Sequence, residues 1–467
     1  MNNELLRKIP SLDALLREEA VLRLIEEHGR EVVASEGRAT LDEFREAVAA
    51  VRDAAAPPPD PVHEAIVSRL AARLAARSAP SLAPAVNATG IIMHSGLGRA
   101  VLSEAARAAL AAVAAGYSTL ALDAENGKRV SRDRHVEGLL RELTGAEAAT
   151  VANNNAAATV LILNTLARGK EVVVSRGQLV EIGGSFRMPD VMTTSGAVLR
   201  EVGTTNKTHL RDYEAAVGGS TGAILRVHHS NYRIVGFVEE PPIEDLVALG
   251  RARGVPVVDD LGSGALVDLS PYGLAPEPMV RASVGAGADV VCFSGDKLIG
   301  GPQCGIIVGK ADWIQRIKKN PLARAFRCGK LSLAALEATL RLFLAPEKLA
   351  ARHPIYRMLA LTPDEIGRRA KKLAAALRKS LPAGVVLAVE DGESQVGSGA
   401  VPTETMPTKV LAIRSAALSA EDIARRLRFL SPPIFARIHK DAVLFDFRTI
   451  QPGEDMIVER SLCDLLK

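Results

Sequence analysis

The run Cys292-Phe-Ser-Gly-Asp-Lys-Leu-Ile-Gly-Gly-Pro302 carries a lysine, Lys297, from the end of an apolar stretch into a turn rich in serine and glycine. A lysine so placed is positioned rather than solvated, as a Schiff-base nucleophile with a lowered pKa must be. Ser294, three residues earlier, offers a hydroxyl to a cofactor phosphate, and the glycines allow close backbone approach. S-x-x-K alone describes a surface turn equally well, so the assignment depends on partners elsewhere in the chain.

Several segments qualify as partners. Val257-Val-Asp259-Asp260-Leu-Gly-Ser-Gly264 ends a strand in adjacent acids. A carboxylate at a strand end can pair with the protonated pyridine nitrogen of pyridoxal phosphate and keep the ring an electron sink. A magnesium ligand or a plain turn former is the competing interpretation, and magnesium would want further carboxylates nearby. Val151-Ala-Asn153-Asn154-Asn155-Ala-Ala-Ala158 leads into an alanine-rich helix, whose N-terminal N–H groups and dipole suit a phosphate; as an N-cap run it also makes sense. Val227-His-His-Ser-Asn231-Tyr232 ends another strand in polar groups within reach of a cofactor ring, with Gln178 and His228 as alternatives for its face. Arg99, Arg324 and Arg327 present forks suited to a phosphate-like anion, more charge than one cofactor phosphate needs, though singly each reads as a surface residue. Arg129, Arg132 and Arg134 form a second cluster, facing water or an RNA backbone. Arg448 is a candidate clamp for a free carboxylate.

These residues need a rigid frame. Short runs such as Glu171–Ser175, Ala223–Val227, Val255–Asp259 and Asp289–Phe293 are apolar on both faces and alternate with helical segments. That pattern predicts a parallel sheet covered by helices, with ligands at the carboxyl ends of the strands. A helix is expected near Ser332–Leu344, and another from the capping box Thr362-Pro-Asp-Glu365 to about Ser380. Strands near 385–390, 409–414, 434–438 and 442–447 with helices at 419–429 and 454–466 predict a small α+β domain, and Gly392–Pro407 a loop. Residues 4–55 show helical spacing and close at Pro57-Pro-Pro-Asp-Pro61; beyond them Arg69, Arg73 and Arg77 line one helix face, read as solvated.

Composition narrows the class. With 467 residues, 48% hydrophobic and 24% charged, the chain is long enough for one large domain and smaller ones. A net charge of +4 is too small to announce a nucleic-acid binder, and residues 1–55 hold eight Lys and Arg against twelve Asp and Glu. The N-terminus lacks the uninterrupted apolar stretch of a signal peptide or membrane span, which points to the cytoplasm. Cys292, Cys304, Cys328 and Cys463 show no CxxC or metal-type spacing, so neither a disulfide framework nor a metal site is expected.

Together with Asn87-Ala-Thr-Gly90, Leu97-Gly-Arg99, Val173-Val-Ser-Arg-Gly177, Val180-Glu-Ile-Gly-Gly184 and Glu201-Val-Gly-Thr-Thr-Asn206, the motifs above resemble bacterial selenocysteine synthase over almost the whole chain. Where that family commonly shows Thr-Asn before Leu-Gly-Arg, this chain has Ser95-Gly96. The resemblance implies an aspartate-aminotransferase-like (fold type I) α/β core at 86–345, a C-terminal α+β domain at 346–467, a linker at 61–85 and a helical tRNA-recognition module at 1–60. It implies Lys297 as the Schiff-base lysine, Asp260 rather than Asp259 as partner of the pyridine nitrogen, and cofactor contacts from Ser294, Asn154, Asn155 and Asn231. It further implies selenophosphate at Arg99, Arg324 and Arg327, and a ring-shaped decamer built from dimers. The reaction so implied turns seryl-tRNA(Sec) into selenocysteinyl-tRNA(Sec) by β-elimination to a dehydroalanyl adduct and addition of selenium.

Overall fold

Strands of valine and isoleucine with no polar face must be covered on both sides, and the computed structural model shows how. It describes residues 6–50, 62–184, 186–397, 399–401 and 404–466, in two units, Met1–Pro84 and Ala85–Lys467. The proline-rich run 57–61 lies outside the described residues.

The described residues of the larger unit form fourteen strands: β1 (Val86–Ala88), β2 (Ala148–Ala152), β3 (Glu171–Ser175), β4 (Glu181–Ile182), β5 (Phe186–Arg187), β6 (Val198–Val202), β7 (Thr221–Val227), β8 (Val257–Gly262), β9 (Val290–Ser294), β10 (Gly305–Gly309), β11 (Val385–Gln395), β12 (Thr405–Ser415), β13 (Ile434–His439) and β14 (Ala442–Asp446). Seven form the main sheet in the order β2-β10-β9-β8-β7-β3-β6. Alternation divides their side chains between two cores. Val173, Ile224, Val257, Val291 and Phe293 enter one, and Val172, Val174, Leu225, Val258 and Cys292 the other.

The sheet departs from the all-parallel expectation at β10, which runs antiparallel to both β2 and β9. The ten residues between β9 and β10 are too few for a parallel crossover, so the chain must fold back on itself. Lys297 lies in that return.

The second sheet, β1-β13-β14-β12-β11, packs on helices Pro363–Leu377, Ala420–Arg428 and Glu454–Leu466. Strand β1, assigned from sequence to the large domain, belongs to this sheet through parallel pairing with β13. Thr362 caps its helix as expected, with Glu365 returning the bond to the Thr362 N–H. The expected loop 392–407 is shorter than its bounds, strand reaching into both of its ends. β11 and β12 pair continuously from Val385↔Ser415 to Gln395↔Thr405, leaving a connection of nine residues. Pro407 is tolerated because β14 pairs β12 only at Val410–Ile413.

In the smaller unit, helices Leu12–Leu15, Glu19–His28, Arg30–Ala50 and Val62–Ser78 enclose Leu15, Val21, Val33, Leu41, Ile66, Leu70 and Leu74. The stretch expected as linker therefore carries a helix of this unit, because Val62, Ile66, Leu70 and Leu74 recur every four residues and share one buried face. Arg69, Arg73 and Arg77 are not simply solvated. Arg73 pairs with Glu36 at 2.9 Å and also with Glu43, Arg77 with Glu36 at 2.7 Å, and Arg69 with Glu43 at 3.2 Å. No described helix is long and apolar enough to cross a membrane.

Candidate active site

Four loops at the carboxyl ends of β2, β7, β8 and β9 meet around a cleft of about 280 Å³. Its lining includes Arg99, Asn154, Asn155, His228, Asp260, Ser294 and Lys297. Strand β8 delivers Asp260 there, while pleating turns Asp259 to the opposite face, where it lies 3.3 Å from Arg226.

Asp260 is fully enclosed. Its Oδ1 accepts from Asn155 Nδ2 at 2.8 Å and Gly262 N–H at 3.2 Å, and its Oδ2 from Thr159 Oγ1 at 2.9 Å. Burial nevertheless pushes its carboxyl above the usual range, against those three bonds and the nearby Lys297. Such a carboxylate gains from a cationic partner. Lys297 is buried as well, and burial, reinforced by Arg99, lowers its ammonium below the usual lysine value against the pull of Asp260. Arg99 donates to Asp296 at 2.7 Å.

The helix Asn155–Ala167 starts at the cleft. Asn154 Oδ1 caps Ala157 N–H at 2.8 Å, while Asn154, Asn155 and Ala156 line the opening, with Ser294 and Gln303 also on its wall. Such a helix end, with hydroxyl and amide donors beside it, is suited to hold an anion. Gly305 lets β10 pass beneath it, since a Cβ there would lie 2.2 Å from Asn154 O. Gly399 (φ +66°) lies beside Lys297, where a Cβ on it would stand 3.3 Å from Nζ.

Not every expected residue arrives. Asn231 lies outside the cleft and donates to Glu181 O at 2.8 Å; Ser230, buried, lines it instead. The turn in which Ser230 N–H bonds His228 O leaves His228 and Ser230 on the wall and Asn231 beyond it. Gln178 accepts from Val227 N–H at 2.9 Å and does not line the cleft, whereas His228 does. Arg448 is buried and spent on the carbonyls of Met358, Leu361 and Pro407 and on Ser394 Oγ, so it clamps backbone rather than ligand.

Arg324 and Arg327 do not join Arg99. They line a second cleft with Arg129, Arg132 and Lys318, at the far side of the β2 end, where Asn153 N–H bonds Phe326 O at 2.7 Å. Mutual repulsion, first from Arg132, lowers the Arg327 guanidinium below its ordinary value. Arg134 is paired with Asp123 at 3.0 Å. Thr159, Asp296, Ser230 and Gln303 escaped sequence reasoning. Thr159 was within reach, being four residues from Asn155 and hence on the same helix face; Ser230 and Gln303 depend on loop geometry.

Similarity to known proteins follows the same outline. Residues 85–451 match the family model described as L-seryl-tRNA selenium transferase, and residues 6–45 the one described as selenocysteine synthase N terminal. An L-seryl-tRNA(Sec) selenium transferase of Nitratidesulfovibrio vulgaris is 49% identical over 460 residues, 97% of each chain. One of Geobacter sulfurreducens is 47% identical over 458 residues, 98% of each. Among solved structures, a D-glucosaminate-6-phosphate ammonia-lyase aligns over 82% of this chain and 96% of its own at a TM-score of 0.56 and 22% identity. That likeness bears on the fold, which is aspartate-aminotransferase-like, fold type I.

Proposed function

The chain belongs to the L-seryl-tRNA selenium transferase family, and from that membership we propose how the Lys297 cleft turns seryl-tRNA(Sec) into selenocysteinyl-tRNA(Sec). The cofactor is pyridoxal 5'-phosphate, which supplies an electron sink for negative charge at the serine Cα. The residues fit it. Lys297 provides the amine, Asp260 an enclosed carboxylate for a protonated ring nitrogen, and the start of helix Asn155–Ala167 with Ser294 and Gln303 the phosphate cradle. The observation that carries this reading is a buried Lys297 in one cleft with a buried Asp260 held by Asn155 and Thr159.

Lys297, as a free amine, would take the Cα proton, a task for which an amine of lowered pKa is suited. Asn155 and Thr159 keep Asp260 oriented throughout. The serine hydroxyl would leave as water to give a dehydroalanyl group; selenium from selenophosphate would then add at Cβ, water cleaving the P–Se bond to release phosphate and Lys297 returning a proton to Cα. Arg99 holds that donor at the cleft; Arg324 and Arg327, which face a separate cleft in one chain, meet it in a homo-oligomer built from dimers, a decameric ring. The N-terminal unit reads the tRNA, and the protein works in the cytoplasm.

The test is the visible absorbance of the purified protein on addition of seryl-tRNA(Sec), uncharged tRNA or free serine. A cofactor band altered by the charged tRNA alone is expected, and Lys297→Ala should abolish both band and turnover. A response to free serine would instead indicate a lyase of small amino acids, and retention of band and turnover in Lys297→Ala would refute the lysine assignment.

A further inference from the structure

The carboxylate of Glu277 has no part in the roles above, yet it touches three segments at once. Its Oε1 accepts from Val401 N–H at 2.7 Å. Its Oε2 accepts from Ser263 Oγ at 3.1 Å and lies 3.2 Å from Nε2 of His228, whose side chain lines the Lys297 cleft. Each contact leads back to the reacting lysine. Ser263 is three residues past Asp260, and His228 N–H donates to Asp260 O at 2.9 Å. Val401 ends the run 399–401, whose Gly399 stands beside Lys297.

A glutamate side chain only 4% exposed must be compensated or it will neutralise. Burial pushes its carboxyl up, but the imidazole, the Val401 N–H and the Ser263 hydroxyl outweigh burial, and the group sits below the usual glutamate range. Glu277 is therefore a buried anion facing the cleft wall. Glutamine in its place would keep the shape and an acceptor for one partner, but would lose the charge facing the ring.

We propose that Glu277 is a positioning residue for the reaction at Lys297: it fixes the His228 ring on the cleft wall and ties residues 399–401 beside the lysine. The inference rests on the proposed cofactor chemistry at that cleft. It is tested in the full-length protein with Glu277→Gln, His228→Gln and the double variant, using pyridoxal 5'-phosphate as the binding probe.

Glu277→Gln should lower kcat by about tenfold with the KM for seryl-tRNA(Sec) little changed, as expected for loss of positioning rather than of substrate binding. It should also weaken pyridoxal 5'-phosphate in equilibrium dialysis and speed amide exchange at residues 399–401. Because part of its effect runs through His228, the double variant should lose less kcat than the two single losses combined. Wild-type kcat, cofactor affinity and exchange in Glu277→Gln, or additive losses in the double variant, would overturn the proposal. Should Glu277→Gln not fold, His228→Gln decides: a kcat loss with unchanged KM supports the proposal, and wild-type kcat and cofactor affinity overturn it. Absence of cofactor binding by the wild-type protein would instead remove the functional reading beneath it.

Discussion

Burial drives Lys297 and Asp260 in opposite directions, the lysine toward the neutral amine and the aspartate toward the neutral acid, while their mutual attraction resists both. The asymmetry suits the chemistry, because a neutral amine is the form that attacks a carbonyl. It also yields a prediction. Uptake of pyridoxal 5'-phosphate by cofactor-free protein, followed by absorbance, should accelerate with pH through a midpoint below the ordinary lysine value of about 10.4. The sign follows from the lowered pKa: at any pH below that value, more of the side chain is uncharged than in a solvated lysine. A midpoint at or above the ordinary value would show that the site does not depress Lys297. Arg99 contributes to the depression, so Arg99→Ala should move the midpoint upward.

Elements hold this lysine as firmly as its neighbours do. Beneath the turn that follows it, His353 shares a hydrogen bond of 2.9 Å with Ile299 O, and Tyr356 donates to Leu298 O at 3.1 Å. Burial drives His353 down to about 4, so the unfolded chain binds a proton that the folded one refuses between about 4 and the ordinary 6.5. This contribution to stability is present above the ordinary value and is lost as pH falls toward 4. Its full size is roughly 3 kcal/mol at 1.36 kcal/mol per pKa unit. His353→Gln, which can still donate to Ile299 O, should flatten that part of the pH dependence of urea unfolding, whereas identical slopes would show that His353 does not titrate on unfolding. The sequence contained little hint of this support, since His353 meets the turn only through tertiary packing 54 residues away. What was legible was local: the capping box at Thr362, the doubly apolar strands, and the motifs that bring Lys297, Asp260, Asn154, Asn155 and Ser294 to one cleft. What was not legible depended on pairing, as in the antiparallel β10 and the extended β11–β12 hairpin, or on which way a loop residue turns, as with Asn231 and Ser230.

At the scale of the whole molecule, the cofactor cleft and the N-terminal helices belong to different units, which makes their roles experimentally separable. Bulk charge does not identify the RNA reader. The N-terminal segment is acidic, and its arginine row at 69, 73 and 77 is already paired with Glu36 and Glu43. Its stability rests instead on a small core in which Leu70 is fully buried. Leu70→Ala should cost about 2–5 kcal/mol, a large share of what a unit of this size possesses. In the full-length protein the cofactor band per chain should then be unchanged, since its cleft lies in the other unit, while the KM for seryl-tRNA(Sec) should rise about tenfold for each 1.4 kcal/mol by which the binding-competent form is depleted. Steady-state kinetics with charged tRNA, alongside the spectrum, measures both quantities on one sample. An unchanged KM in a variant whose N-terminal helices have melted would mean that the larger unit reads the tRNA by itself, and the search for its binding face would move to the arginines of the second cleft.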